Sequence, residues 1–139
     1  MQKNIEFREN ISAENFCHLR ESVGFQKLTV NQAERVLSNT SFLVTAICNG
    51  ENVGLVRILT DTVTDAYITD VIVSPYFQGN GLGIKMMNVA LEKLKASAIE
   101  HVHLACVLYA NSGKESFYKK LDFEKLPNDK YGYGMLLEL

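Results

Sequence analysis

The sequence predicts an α/β protein with a mixed α+β sheet, an antiparallel meander followed by a strand-helix-strand unit. Three observations predict it. Apolar, β-branched runs at 42–48, 53–60 and 66–73 are separated by turn signals, Asn49-Gly50 and the polar stretch Thr62 to Asp65. A glycine cluster then opens a long stretch of helical periodicity, 80–97. A nearly continuous apolar run at 102–107 follows, which implies a buried strand parallel to the one ending at Val73.

Taken in order, Ile5-Glu6-Phe7-Arg8 alternates and reads as a short strand. Ser12 can cap a helix running to about Glu21, with Phe16, Leu19 and Val23 on one stripe, and Ser22-Val23-Gly24-Phe25-Gln26 breaks it. Thr29-Val30-Asn31-Gln32 has the form of a capping box, and Ala33, Val36 and Leu37 give a second short amphipathic helix. The helix at 80–97 turns Gly83, Met87, Ala90, Leu91 and Leu94 inward. Beyond it the pattern predicts a helix at 111–121, a strand at 123–126 and a last strand at 133–139 that closes the sheet.

At 139 residues and 47% apolar content, the expectation is one domain, 1–139, with a sizeable core. The formal charge of -2, with no lysine or arginine run, gives no electrostatic footprint for nucleic acid or an anionic membrane surface. The opening Met1 to Glu6 lacks the apolar core of a signal peptide, and no apolar stretch approaches bilayer length. A cytoplasmic protein is expected. Cys17, Cys48 and Cys106 are odd in number, widely spaced and set in apolar patterns, which suits reduced packing residues over a disulfide framework or zinc site. His101 and His103 would share a strand face, but no third ligand lies near them, so no metal is expected.

The stretch with most chemical content is Val71-Ile72-Val73-Ser74-Pro75-Tyr76-Phe77-Gln78-Gly79-Asn80-Gly81-Leu82-Gly83-Ile84. It reads as strand, glycine loop and helix. Such a loop lets backbone approach a ligand, and the first N–H groups of the helix have no intrahelical partner, so an anion there gains hydrogen bonds and the positive dipole end. Gly83 is followed by Ile84-Lys85-Met86, which lacks the Lys-Ser/Thr of the nucleotide triphosphatase loop. The spacing of Gly81 and Gly83 also departs from the dinucleotide fingerprint. A tight strand-to-helix connection with no ligand remains the alternative reading of the glycines alone.

What fits is Gln-x-x-Gly-x-Gly, here Gln78-Gly79-Asn80-Gly81-Leu82-Gly83. With its preceding strand this resembles the acetyl-coenzyme A pyrophosphate loop of the GNAT superfamily of N-acetyltransferases. A second segment, Asn111-Ser112-Gly113-Lys114-Glu115-Ser116-Phe117-Tyr118-Lys119-Lys120-Leu121-Asp122-Phe123, is similar to that family's Asn-x-x-Ala-x-x-Phe-Tyr-x-x-x-Gly-Phe and falls in the order the family requires. Lys114 stands in place of the usual small residue and Asp122 in place of the usual glycine. The resemblance covers nearly the whole chain and implies a GNAT-type fold. It also implies an acetyl-coenzyme A-dependent N-acetyltransferase of small-molecule or peptide amines, working by direct transfer, with homodimerisation expected. A noncatalytic acyl-coenzyme A-binding or regulatory module on the same fold is the alternative.

The resemblance places the cofactor on Val71, Ile72 and Val73 through backbone, on Gln78, Gly79, Asn80, Gly81, Leu82 and Gly83 in the loop, and on Asn111, Phe117 and Tyr118. Chemically, an amine must be neutral to attack, and the departing thiolate leaves more easily beside a proton donor. Tyr118 is the candidate donor, against the alternative of a buried helix aromatic. Asp70, flanked by apolar residues on the strand before the loop, is the candidate base, with a structural hydrogen-bonding role the equal alternative. A main-chain N–H near Val73 is the candidate donor to the carbonyl oxygen that gathers charge. Phe25, after Val23-Gly24, is a candidate substrate wall or a core aromatic. No residue type identifies the amine.

Overall fold

In the computed structural model, which describes residues 4–139, the sheet has five strands in the order β1-β2-β3-β4-β5. Met1 to Lys3, part of the opening segment read for a signal peptide, lie outside the described residues. The chain divides into two compact units, one ending at Val107 and one formed by Leu108–Leu139.

The first unit carries the sheet. Strands β1 (Ile5–Arg8), β2 (Phe42–Cys48), β3 (Glu51–Thr60) and β4 (Asp65–Val73) pair antiparallel in sequence order. The β2–β3 hairpin turns at Asn49 and Gly50, with φ of 51° and 80°. A two-residue turn of that hand matches the twist of its flanking strands, which is why Asn-Gly marks it in sequence. Strand β5 (Ala105–Val107) pairs parallel to Asp65, Ala66 and Tyr67 of β4.

Helix α1 (Ala13–Ser22) is capped as expected, Asn15 N donating to Ser12 Oγ at 3.1 Å. Helix α2 (Val30–Ser38) starts with the full capping box, Thr29 and Gln32 exchanging side-chain and backbone bonds. Such a cap is worth about 1 kcal/mol. Phe16 and Leu19 of α1, Ala33 of α2, Leu55 of β3 and Ile72 of β4 are buried in one cluster. Full burial of the Phe16 ring contributes about 2–3 kcal/mol.

Helix α3 (Leu82–Ser97) buries Leu82, Gly83, Met86, Met87, Ala90 and Leu94. The expected stripe is right except for its edge, where Leu91 is only partly buried and Met86 takes an inner place. Gly54 makes room for that residue, since a Cβ there would stand 2.7 Å from Met86 Sδ.

Five expectations are corrected at the C-terminal end. The strand read at 102–107 is a three-residue edge strand, and Val102 and Val107 are exposed. His101 and His103 lie before it, outside any strand, and both are exposed. The helix read at 111–121 shortens to α4 (Glu115–Lys119), because Asn111 to Lys114 form a turn closed by Lys114 N donating to Asn111 O at 2.9 Å. Neither 123–126 nor 133–139 forms a strand among the described residues. A strand is defined by its pairing, and apolar pattern alone does not supply a partner.

Candidate functional site

The site is built on β4 and the loop that leaves it. β5 accompanies β4 only from Asp65 to Tyr67, so Ile68–Val73 run on with β3 on one side and, among the described residues of this unit, no strand on the other. An extended ligand carrying amides matches such an edge, because a strand with no strand beside it turns backbone N–H and C=O groups outward. Ile72 turns its side chain into the core, so any part it has at this edge is through backbone.

After Val73 the chain makes a single turn of 3-10 helix, Pro75–Phe77, and enters the glycine loop. Gln78 Nε2 donates to Val73 O at 2.8 Å and ties the loop back to the end of the strand. Gly79 and Gly81 both have φ of 80°, the left-handed region that suits glycine, and nothing lies within 4 Å of where a Cβ would stand on either. Gly81 caps α3 without any side-chain hydrogen bond to the helix end. The first N–H groups of α3 have no intrahelical acceptor and face this open loop, an arrangement suited to an anion. Gly83 differs from its two neighbours. It is buried in α3, and Leu82 is buried as well.

Asp70 occupies a bulge. Leu55 pairs with Ile72 and Arg57 with Thr69, so Asp70 and Val71 together face the single residue Val56. Asp70 has φ of 48°, a conformation in which Asp is among the few side chains tolerated. Its carboxylate is 7% exposed and each oxygen accepts from an arginine, Oδ1 from Arg20 Nη1 at 2.9 Å and Oδ2 from Arg57 Nε at 2.7 Å. This geometry supports an ion-pair anchor more directly than the base expected from sequence. Phe25 is half-buried against the same cluster, with the Arg20 guanidinium 5.6 Å from its ring centre.

Sequence reading missed Arg20 and Arg57. The signal was present: Arg57 is the one charged residue inside Val53-Gly54-Leu55-Val56-Arg57-Ile58-Leu59, and Arg20 follows the stripe of Phe16 and Leu19 at helical spacing. A cation in an inward register implies a partner, although pattern alone does not say which.

The remaining candidates lie in the second unit. Phe117 and Tyr118 are half-buried on α4, their rings edge to face at 4.9 Å, and Phe123 stands edge-on to Tyr118 at 6.0 Å. Burial raises the Tyr118 phenol above its ordinary range, because the phenolate is the form that loses solvation. The chain after α4 closes with Phe123 N donating to Tyr118 O at 3.2 Å. Asp122, standing where the motif has glycine, adopts φ of 67°, so the left-handed turn that the motif demands is kept by an aspartate. Asn111 is exposed at the start of the turn before α4.

A meander whose fourth strand passes through a glycine turn into a helix, with no strand of its own unit on that strand's far side beyond Tyr67 among the described residues, defines the class of the fold as α/β with a mixed sheet. The chain belongs to the acetyltransferase (GNAT) family, whose model matches residues 5–123. It is 32% identical to an uncharacterized N-acetyltransferase, ycf52, of Pyropia yezoensis over 92% of this chain and 78% of that one. The crystal structure of a Staphylococcus aureus protein titled a probable acetyltransferase is similar, with a TM-score of 0.82 and 26% identity over 98% of this chain and 100% of the other. A GNAT family protein of Streptococcus pneumoniae has a TM-score of 0.76 and 25% identity over 99% of this chain and 98% of its own.

Proposed function

We propose that the protein transfers an acetyl group from acetyl-coenzyme A directly to a primary amine of a small molecule or peptide. The observation that carries this reading is the loop from β4 into α3. Gly79 and Gly81 are open to an approaching ligand, and the helix end behind them has backbone donors but no side-chain cap. That fits a pyrophosphate, and the open edge of Ile68–Val73 fits the amides of a pantetheine arm. The thioester supplies the activated acetyl group.

The chain's own residues hold the reactants and move the protons. Val71, Ile72 and Val73 act through backbone, and Gln78, Gly79, Asn80 and Gly81 shape the phosphate end. Asn111, Phe117 and Tyr118 are assigned on the strength of their motif, with the Tyr118 hydroxyl donating to the departing sulfur. Phe25 is a candidate wall for the acceptor. The reading requires no metal. Self-association belongs to the proposal as well, supported by the apolar tail, where Met135, Leu136, Leu137 and Leu139 are all exposed.

Calorimetric titration with acetyl-coenzyme A, followed by a coenzyme A-release screen over polyamines, aminoglycosides, aryl amines, amino sugars and peptide N-termini, tests the reading. Binding with amine-dependent release supports it. Binding without release from any amine points to the noncatalytic module, and absence of binding overturns both. A light-scattering mass equal to one 15.6 kDa chain at high concentration would rule out self-association.

A further inference from the structure

We propose that Arg20 and Arg57 are positioning residues that act through Asp70 to hold the β4 bulge, and thereby decide which backbone groups of Val71 to Val73 face the open strand edge. This rests on the cofactor reading above.

The bulge needs a restraint. A non-glycine residue at φ of 48° sits in a sparsely populated conformation, which persists only where its surroundings over-determine it. Here the restraint comes from two directions. Arg20 reaches Asp70 from α1 and Arg57 from β3, one to each carboxylate oxygen, so both the position and the rotation of the carboxylate are set. The arginines are held in turn. Arg20 Nε and Nη2 donate to Gln26 O at 3.3 and 3.1 Å, and Arg57 Nη1 donates to Thr40 Oγ1 at 2.9 Å. The Phe16 ring lies 5.7 Å from the Arg20 guanidinium carbon and 5.9 Å from that of Arg57.

Burying three charges is a poor way to gain stability, since apolar side chains of similar volume often do as well or better. The cluster does gain geometry. Along a strand, N–H and C=O groups point alternately to the two edges, so one inserted residue exchanges which groups of the following segment face outward. The inserted residue is at Asp70–Val71, and the following segment is the one with an open edge. Because Arg20 also holds Gln26 O, the same lock ties the loop carrying Phe25 to the bulge.

The proposal predicts a split between two ligands. Arg57→Gln should weaken acetyl-coenzyme A binding about tenfold or more, the equivalent of one charge-assisted hydrogen bond. Adenosine 3′,5′-bisphosphate, which has no pantetheine arm, should bind wild type and variant within about twofold of each other. Arg57→Lys keeps the charge without the planar fork. It should fall between the two, and it serves alone if Arg57→Gln does not fold. Equal weakening of both ligands, or no change in either, overturns the proposal. Should wild type bind no acetyl-coenzyme A, the cofactor reading fails, and hydrogen exchange then decides the lock by itself. Faster exchange at Val71 to Val73 in the variant, with Val44 to Ala46 unchanged, supports the lock, and unchanged exchange at Val71 to Val73 overturns it.

Discussion

The two compact units differ in how their residues are held. In residues 4–107 each element that matters is fixed from several sides: α1 by its Ser12 cap and by Phe16, β4 by its ladder to β3 and the two arginines on Asp70, the loop by Gln78 on Val73 O. In Leu108–Leu139 the motif residues rest on a five-residue helix and three aromatic rings, and the tail exposes its apolar side chains. The difference separates two kinds of dependence. Substitutions in the first unit are expected to register in stability and binding, whereas those in the second are expected to register in turnover or assembly with little change in the folded state.

Phe16→Ala is expected to have the largest effect. The ring is fully buried and lies beside both guanidiniums, so its removal should cost about 3–5 kcal/mol in urea unfolding. A loss below about 1 kcal/mol would mean that the first unit is not held as described.

Tyr118→Phe comes next and tests the second unit. It keeps the ring and removes the hydroxyl, so turnover should fall roughly 10- to 1000-fold while acetyl-coenzyme A affinity stays nearly unchanged. A phenol donates only while protonated, and burial raises this one above its ordinary value of 10.0. Wild-type activity should therefore fall on an alkaline limb displaced upward from that of an ordinary phenol, a limb that the variant lacks. Equal turnover for variant and wild type on an identified amine would remove Tyr118 from the chemistry.

Gly81→Val returns to the first unit at a position that is not packed. Strain at φ of 80° is worth about 1–3 kcal/mol, so acetyl-coenzyme A affinity should drop roughly 5- to 150-fold while far-ultraviolet circular dichroism stays unchanged. Unaltered affinity in the folded variant would separate the loop from cofactor binding. Leu137→Ser, at an exposed tail position, should move thermal stability of the monomer by no more than about 0.5 kcal/mol. If the tail mediates self-association, the same change should lower the light-scattering mass toward that of one chain.

Asp70 offers a comparison within the first unit. As a base, its replacement by Asn would abolish turnover and leave binding alone. As the centre of the lock, Asp70→Asn should weaken binding as Arg57→Gln does, and it should also destabilise the fold by about 3 kcal/mol, because two guanidiniums lose their shared carboxylate. Matching binding losses in the two variants, measured by calorimetry, would identify the lock.

What the sequence by itself determined are the features whose causes lie within a few residues of chain. Ser12 and the Thr29–Gln32 box start their helices where local hydrogen bonds demand, Asn49-Gly50 turns the hairpin, and Gly79 and Gly81 mark a loop that only residues tolerant of positive φ can make. Alternation then placed β1, apolar β-branched runs between turn signals placed β2 to β4, and helical period placed α1 to α3. The tertiary structure decided what depends on partners far away in sequence. Asp70 read equally as a base or as a structural hydrogen-bonding group, and only the fold brings Arg20, fifty positions before it, and Arg57 onto its two oxygens. The apolar run at 102–107 kept only three residues as strand, and the run at 133–139 none, because a strand exists only where another strand lies within hydrogen-bonding distance.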